Sequence, residues 1–209
     1  MTARRTNLPV DGDRLWADLM ALGTITEPDK PYTRRSFSPL FLEGRDWLAK
    51  RFAAAGLSVR TDTGGNLIGR MEGARADAGT IVIGSHSDTV PAGGRFDGVA
   101  GVIVALEIAR SLREAGRRLN CAIEVIDFLA EEPSEFGLSC VGSRALTGRL
   151  TDDQLAYRDP AGERLDQAIR RVGGDPDRLA AAQREDIVGF FELHIEQGIV
   201  LEQQGIDLG

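Results

Sequence analysis

This chain has only two histidines, and each has carboxylates near it. His86 stands in GSHSDTV, with Asp88 two residues on and Asp97 at the end of the Gly-rich stretch VPAGGRFDG. His194 stands in ELHIEQG, and Glu131 and Glu132 adjoin in DFLAEEP. Two imidazoles with two or three carboxylates make a ligand set for Zn²⁺ or a similar divalent ion. A carboxylate such as Asp97 can bridge two ions, and a bridged pair activates water for attack on a carbonyl. Of two adjacent glutamates, one can hold metal while the other takes the water's proton. Asp88 is placed to accept a hydrogen bond from the second nitrogen of His86.

The elements around these residues must bring them together. His86 follows the apolar run TIVIGS, Glu131 and Glu132 follow CAIEVIDFLA, and His194 follows IVGFFEL. Such runs read as strands buried on both faces. Two earlier short runs, LSVRT and NLIGRM, also read as β. Asp11 or Asp13 caps a first helix bearing Leu15, Leu19 and Leu22. Ser38-Pro39 opens a second helix, with Phe41, Trp47, Leu48 and Phe52, that ends at Gly56. Gly98 to Ala115 is helical, with Val99, Val102, Ile103, Leu106 and Ala109 on one side. Shorter helices are expected around Leu165–Val172 and Leu179. Strands alternating with helices imply an α/β fold, a mostly parallel central sheet flanked by helices. In such a sheet, ligands bind outside the carboxyl ends of the strands, where His86, Asp97, Glu131, Glu132 and His194 would all emerge.

Singly, each residue has a plainer reading: a hydrogen-bonded structural histidine, a solvated acidic pair, a glycine turn. Their joint placement favours the metal site. There is no G-x-G-x-x-G, P-loop or G-x-S-x-G pattern. A Ser139 or Cys140 nucleophile paired with either histidine is the less favoured alternative. With 25 Lys and Arg against 32 Asp and Glu, the net charge of −7 argues against a nucleic-acid partner. No run is long enough for a membrane span. The absence of an apolar leader and a count of two cysteines point to the cytoplasm.

The segments GSHSDTVPAGGRFDGVAGV, AEEPSEFGLSCVGSRAL and FELHIEQG together resemble the signatures of the hydantoinase/carbamoylase amidases. These are M20-type metallohydrolases with an aminopeptidase-like catalytic domain. The group includes N-carbamoyl-L-amino acid hydrolase, allantoate amidohydrolase and β-ureidopropionase. The resemblance implies two divalent cations, with zinc first and manganese, nickel or cobalt as alternatives. It implies that His86 and His194 bind one metal, Asp97 bridges, Glu132 binds the second, Glu131 is the general base and Asp88 supports His86. It also implies a cis peptide at Asp97-Gly98. The activity implied is hydrolysis of a linear C–N amide of a small ureido substrate, first an N-carbamoyl-L-amino acid and second allantoate. Pro133 departs from the Gly that many carbamoylases carry after the Glu pair. Family members continue into a lid and dimerisation domain, form homodimers, and have a last metal-binding His. Residues 1–209 therefore read as the N-terminal portion of a catalytic domain, truncated before the lid. An inactive metal-binding remnant is the alternative from another class.

Overall fold

A computed structural model describes residues 8–209. Helix α1 (Gly12–Leu22) starts where the Asp11 carboxylate accepts the Arg14 N–H at 2.9 Å. Helix α2 (Pro39–Ala54) starts where the Ser38 hydroxyl accepts the Phe41 N–H at 3.1 Å, with Pro39 in the first turn. Gly56, at φ 77°, turns the chain out of α2 in the left-handed region that glycine adopts without penalty. Strands β1 (Ser58–Thr61) and β2 (Leu67–Met71) form an antiparallel hairpin.

The crossover that follows builds the centre of the molecule. Strand β3 (Thr80–His86) leads to α3 (Val99–Glu114), and the chain returns as β4 (Ala122–Phe128), parallel to β3. Strand β5 (Ile187–Phe191) adds in parallel on the other side of β3. The sheet order is β1-β2-β4-β3-β5. It is mixed: β4, β3 and β5 are mutually parallel, whereas β2 joins β4 antiparallel. The parallel part carries the histidines and the glutamate pair at its carboxyl end.

Helices α1, α2 and α3 cover one face of the sheet. Leu19, Leu22, Leu48, Phe52, Val102 and Leu106 form that core with Val125 of β4. A second core gathers Phe41, Leu129, Val141, Leu165 and Ile169 under three short helices, α4 (Val141–Leu146), α5 (Asp152–Leu155) and α6 (Leu165–Arg171). Leu179 falls in a 3₁₀ segment, Pro176–Ala182, and α7 (Val200–Gln204) is the last element. None of the described helices is long and apolar enough to cross a membrane.

Strand β5 departs from expectation. The run Ile187–Ile195 reads as a strand in the sequence, but the strand ends at Phe191 and is not buried, with Val188 at 65% and Phe191 at 61% exposure. The reason is positional. As the sheet's edge it pairs only with β3, so its apolar residues lack the two-sided cover that an inner strand receives.

Candidate metal centre

His86 is the last residue of β3, and the parallel register sets it opposite Phe128, the last residue of β4. Both strands thus end at one level, and Glu131 and Glu132 follow a few residues later beside the imidazole. The return to α3 passes equally close. A Cβ on Gly98 would lie 2.3 Å from His86 Nε2, and Gly98 has φ 64°. Only glycine permits that approach, and it sets Asp97 against the ring. The Asp97-Gly98 peptide is trans, since no described bond is cis. The turn is accommodated by positive φ at Gly98, so the cis bond implied by the resemblance is absent.

His86 is 1% exposed. Its Nδ1–H donates to the main-chain carbonyl of Asp88 at 3.0 Å, which directs Nε2 toward the carboxylates. Asp88 serves His86 differently from the expectation. Its side-chain oxygen stands 3.6 Å from Nδ1 and acts on the ring by charge, while the bond goes to its carbonyl. The buried Asp88 carboxylate instead accepts the backbone N–H groups of Glu131 (3.3 Å) and Glu132 (3.2 Å). One residue therefore ties the end of β3 to the loop after β4. Arg34, fully buried, reinforces the same turn with two donations to the Ser87 carbonyl, at 3.0 and 2.8 Å.

His86 Nε2 is buried and has no hydrogen-bond partner. Glu131 Oε2 lies 3.5 Å away and Asp97 Oδ1 3.9 Å away. His194 Nε2 is 3.2 Å from the same Asp97 oxygen, and the two imidazole centroids are 5.8 Å apart. Two triads result, His86–Asp97–His194 and His86–Glu131–Glu132, each with its donor atoms within 4.8 Å of one another. The structure thus brings together all the residues singled out from the sequence, with His86 at the shared vertex. Glu132 forms a triad with Glu131 and His86, and its carboxyl also feels the Asp97 charge.

Sequence reasoning missed one neighbour, Gln197, and named a second, Cys140, only as an alternative nucleophile paired with a histidine. Gln197 donates its amide to both oxygens of Asp97, at 3.1 and 3.0 Å. The Cys140 thiol contacts Glu131 Oε1 at 3.5 Å. Both residues lay within quoted motifs, but nothing in their types or spacing showed where they would point.

The electrostatics follow from this crowding. Burial pulls the His86 pKa down, but the nearby carboxylates of Asp88 and Glu131 outweigh it and raise it to about 9. Partial burial raises the Glu132 carboxyl above its ordinary range, aided by Asp97, Glu131 and Asp88 and opposed by His86. Burial and the Glu131 charge push the Cys140 thiol up. Glu131 also lines a cavity of about 450 Å³, together with Val82, Phe128, Leu146 and Phe190.

This geometry can be set beside known proteins. The sequence profile of peptidase family M20/M25/M40 matches residues 82–209, from mid-β3 through both histidines. The chain belongs to that family. As an M20 chain it is 41% identical over 203 residues to an N-carbamoyl-L-amino acid amidohydrolase of Geobacillus stearothermophilus, covering 96% of this chain and 50% of that protein. It is 35% identical to an allantoate amidohydrolase of Bacillus subtilis, covering 87% of this chain and 44% of that one. A solved hydantoinase/carbamoylase family amidase from Burkholderia vietnamiensis superposes with a TM-score of 0.87 at 36% identity, over 96% of this chain and 49% of the other. The M20 chain spans about half the length of the curated relatives it matches.

Proposed function

We propose that this M20 chain is the metal-holding portion of an amidohydrolase that cleaves the ureido group of an N-carbamoyl-L-amino acid. The observation that carries the reading is the buried, unpartnered Nε2 of His86, surrounded by Asp97, Glu131 and Glu132 with His194 close by. A bare buried nitrogen amid carboxylates is costly unless something fills the space between them. Mixed imidazole and carboxylate donors suit zinc, manganese, nickel or cobalt.

In this reading His86, Asp97 and His194 would hold one cation, and Asp97 with Glu132 would hold a second. A divalent cation, when bound, supplies a Lewis acid that polarises the scissile carbonyl and acidifies water beside it. Glu131 takes the proton of the attacking water on a side-chain oxygen and delivers it to the leaving nitrogen. Asp88 orients both halves of this machinery, through its carbonyl on His86 and its carboxylate on the Glu131–Glu132 backbone. Net hydrolysis adds water to the carbamoyl group and gives the amino acid, ammonia and carbon dioxide. Residues 1–209 correspond in this reading to the N-terminal portion of the catalytic domain. The allantoate-cleaving relative makes allantoate the second substrate to assay.

The test loads the chain, and any longer product of the same gene, with zinc, manganese, nickel or cobalt. Bound metal is counted, and ammonia release is measured from N-carbamoyl-L-amino acids and allantoate. The cation assigned to His86, Asp97 and His194 is expected to be lost in His86→Asn. Glu131→Gln is expected to keep its metal and lose about 10²–10⁴-fold in turnover. Metal uptake that ignores His86 would sink the reading, and loss of metal in Glu131→Gln would reverse the roles of the two glutamates.

A further inference from the structure

Cys140 lies outside the mechanism just described, yet its side chain faces the carboxylate that the mechanism needs most. Its backbone is in the left-handed region at φ 57° and ψ 34°, an unusual place for a residue with a side chain. Its N–H donates to the Glu131 carbonyl at 2.8 Å, and the next two N–H groups, of Val141 and Gly142, bond to Ala130 (3.0 Å) and Leu129 (2.8 Å). The start of α4 is thus laid along the Glu131 loop, and the turn at Cys140 brings Sγ to 3.5 Å from Glu131 Oε1. The other oxygen, Oε2, faces the unpartnered and buried His86 Nε2. The two oxygens of Glu131 therefore have different surroundings, a thiol on one side and the candidate metal centre on the other.

We propose that Cys140 is a positioning residue, its S–H donated to Oε1 so that Oε2 of Glu131 is held toward the metal centre. The inference rests on the reading of Glu131 as the general base. A glutamate side chain has three rotatable bonds, and at 37% exposure that of Glu131 has room to leave the site. A donor on Oε1 removes that freedom and keeps Oε2 turned toward the place where a proton is accepted. An oxygen donor can do the same from this place, whereas a methyl group cannot.

The contact is tested first by infrared spectroscopy on the 209-residue chain. Cys121→Ser leaves Cys140 as the only thiol, and its S–H stretch lies in a window clear of other protein bands. The band is expected at low frequency, as a hydrogen-bonded thiol gives. It is expected to move upward in Glu131→Gln, where a weaker neutral acceptor replaces the carboxylate. A band that does not respond to Glu131→Gln overturns the inference, whatever the activity. The role is tested in the metal-loaded protein. Cys140→Ala is expected to lower turnover about three- to tenfold with metal content unchanged, and Cys140→Ser to restore most of it. Alanine and serine share the left-handed backbone, so their difference isolates the donor. Equal turnover in the two variants overturns the role. Absence of turnover in every variant, the wild type included, counts against the proposed hydrolase activity, and the infrared band then decides the inference alone.

Discussion

Raising the pH should destabilise the metal-free chain, and His86 sets the size of the effect. In the unfolded chain a histidine titrates near 6.5. Folded, buried beside Asp88 and Glu131, His86 titrates at about 9. The folded state therefore holds the proton more tightly. The associated stability is fully present below pH 6.5 and is lost as the pH rises through the folded value. A difference of about 2.5 pH units corresponds to about 3 kcal/mol. For a chain of this size that is a fall of roughly 6–12 °C in melting temperature between pH 6.5 and 9. A cation at Nε2 replaces the proton, so the same group makes metal binding release a proton, and apparent affinity should rise about tenfold per pH unit between 7 and 9. The assay is calorimetric melting with a chelator present, repeated in His86→Asn, with zinc titrations at the same pH values. The variant should lose the slope. A melting temperature that is flat across the window, or a slope that survives in His86→Asn, would refute this account of His86.

Other perturbations test the supports of the site. Arg45→Met removes donors to Asp127 Oδ2 (3.0 Å), the Asp127 carbonyl (3.0 Å) and the Gly65 carbonyl (2.6 Å). It leaves Asp127, already raised in pKa by complete burial, with only the Ser87 hydroxyl. Urea unfolding should show a loss of about 3–5 kcal/mol, with much of it recovered when Asp127→Leu is added. Gly98→Ala puts a methyl group 2.3 Å from His86 Nε2. Zinc affinity by calorimetry should fall at least about tenfold while circular dichroism stays near wild type. Val188→Lys with Phe191→Lys charges the exposed edge strand. Sedimentation should show less self-association than in the wild type, and no change would mean that this edge does not drive it.

Much of the site was legible because the signals were local. His86, Asp97, Glu131, Glu132 and His194 each sit at the end of an apolar run or at a helix start, and parallel strands place such ends at one edge. The cap at Ser38 and the glycine exit at Gly56 were equally readable, and the first cap was narrowed to Asp11 or Asp13, since each depends on its own few residues. The short helix α4 was not, because its six residues are held by contacts with the Glu131 loop rather than by an apolar repeat.

The sequence by itself determined which side chains could do chemistry and that strands would deliver them together, because residue type and hydrophobic period are properties of the chain alone. Tertiary structure decided how they face one another. It placed the Asp88 carbonyl, rather than its carboxylate, on His86, put Gln197 on Asp97 and Cys140 on Glu131, and left β5 at an uncovered edge. These outcomes join distant residues, as with Gln197 on Asp97, or depend on how the Glu131 loop packs against the end of β3 and on what covers a strand. Local patterns hold no information about either, since a side chain's direction and burial are fixed only when its distant neighbours arrive.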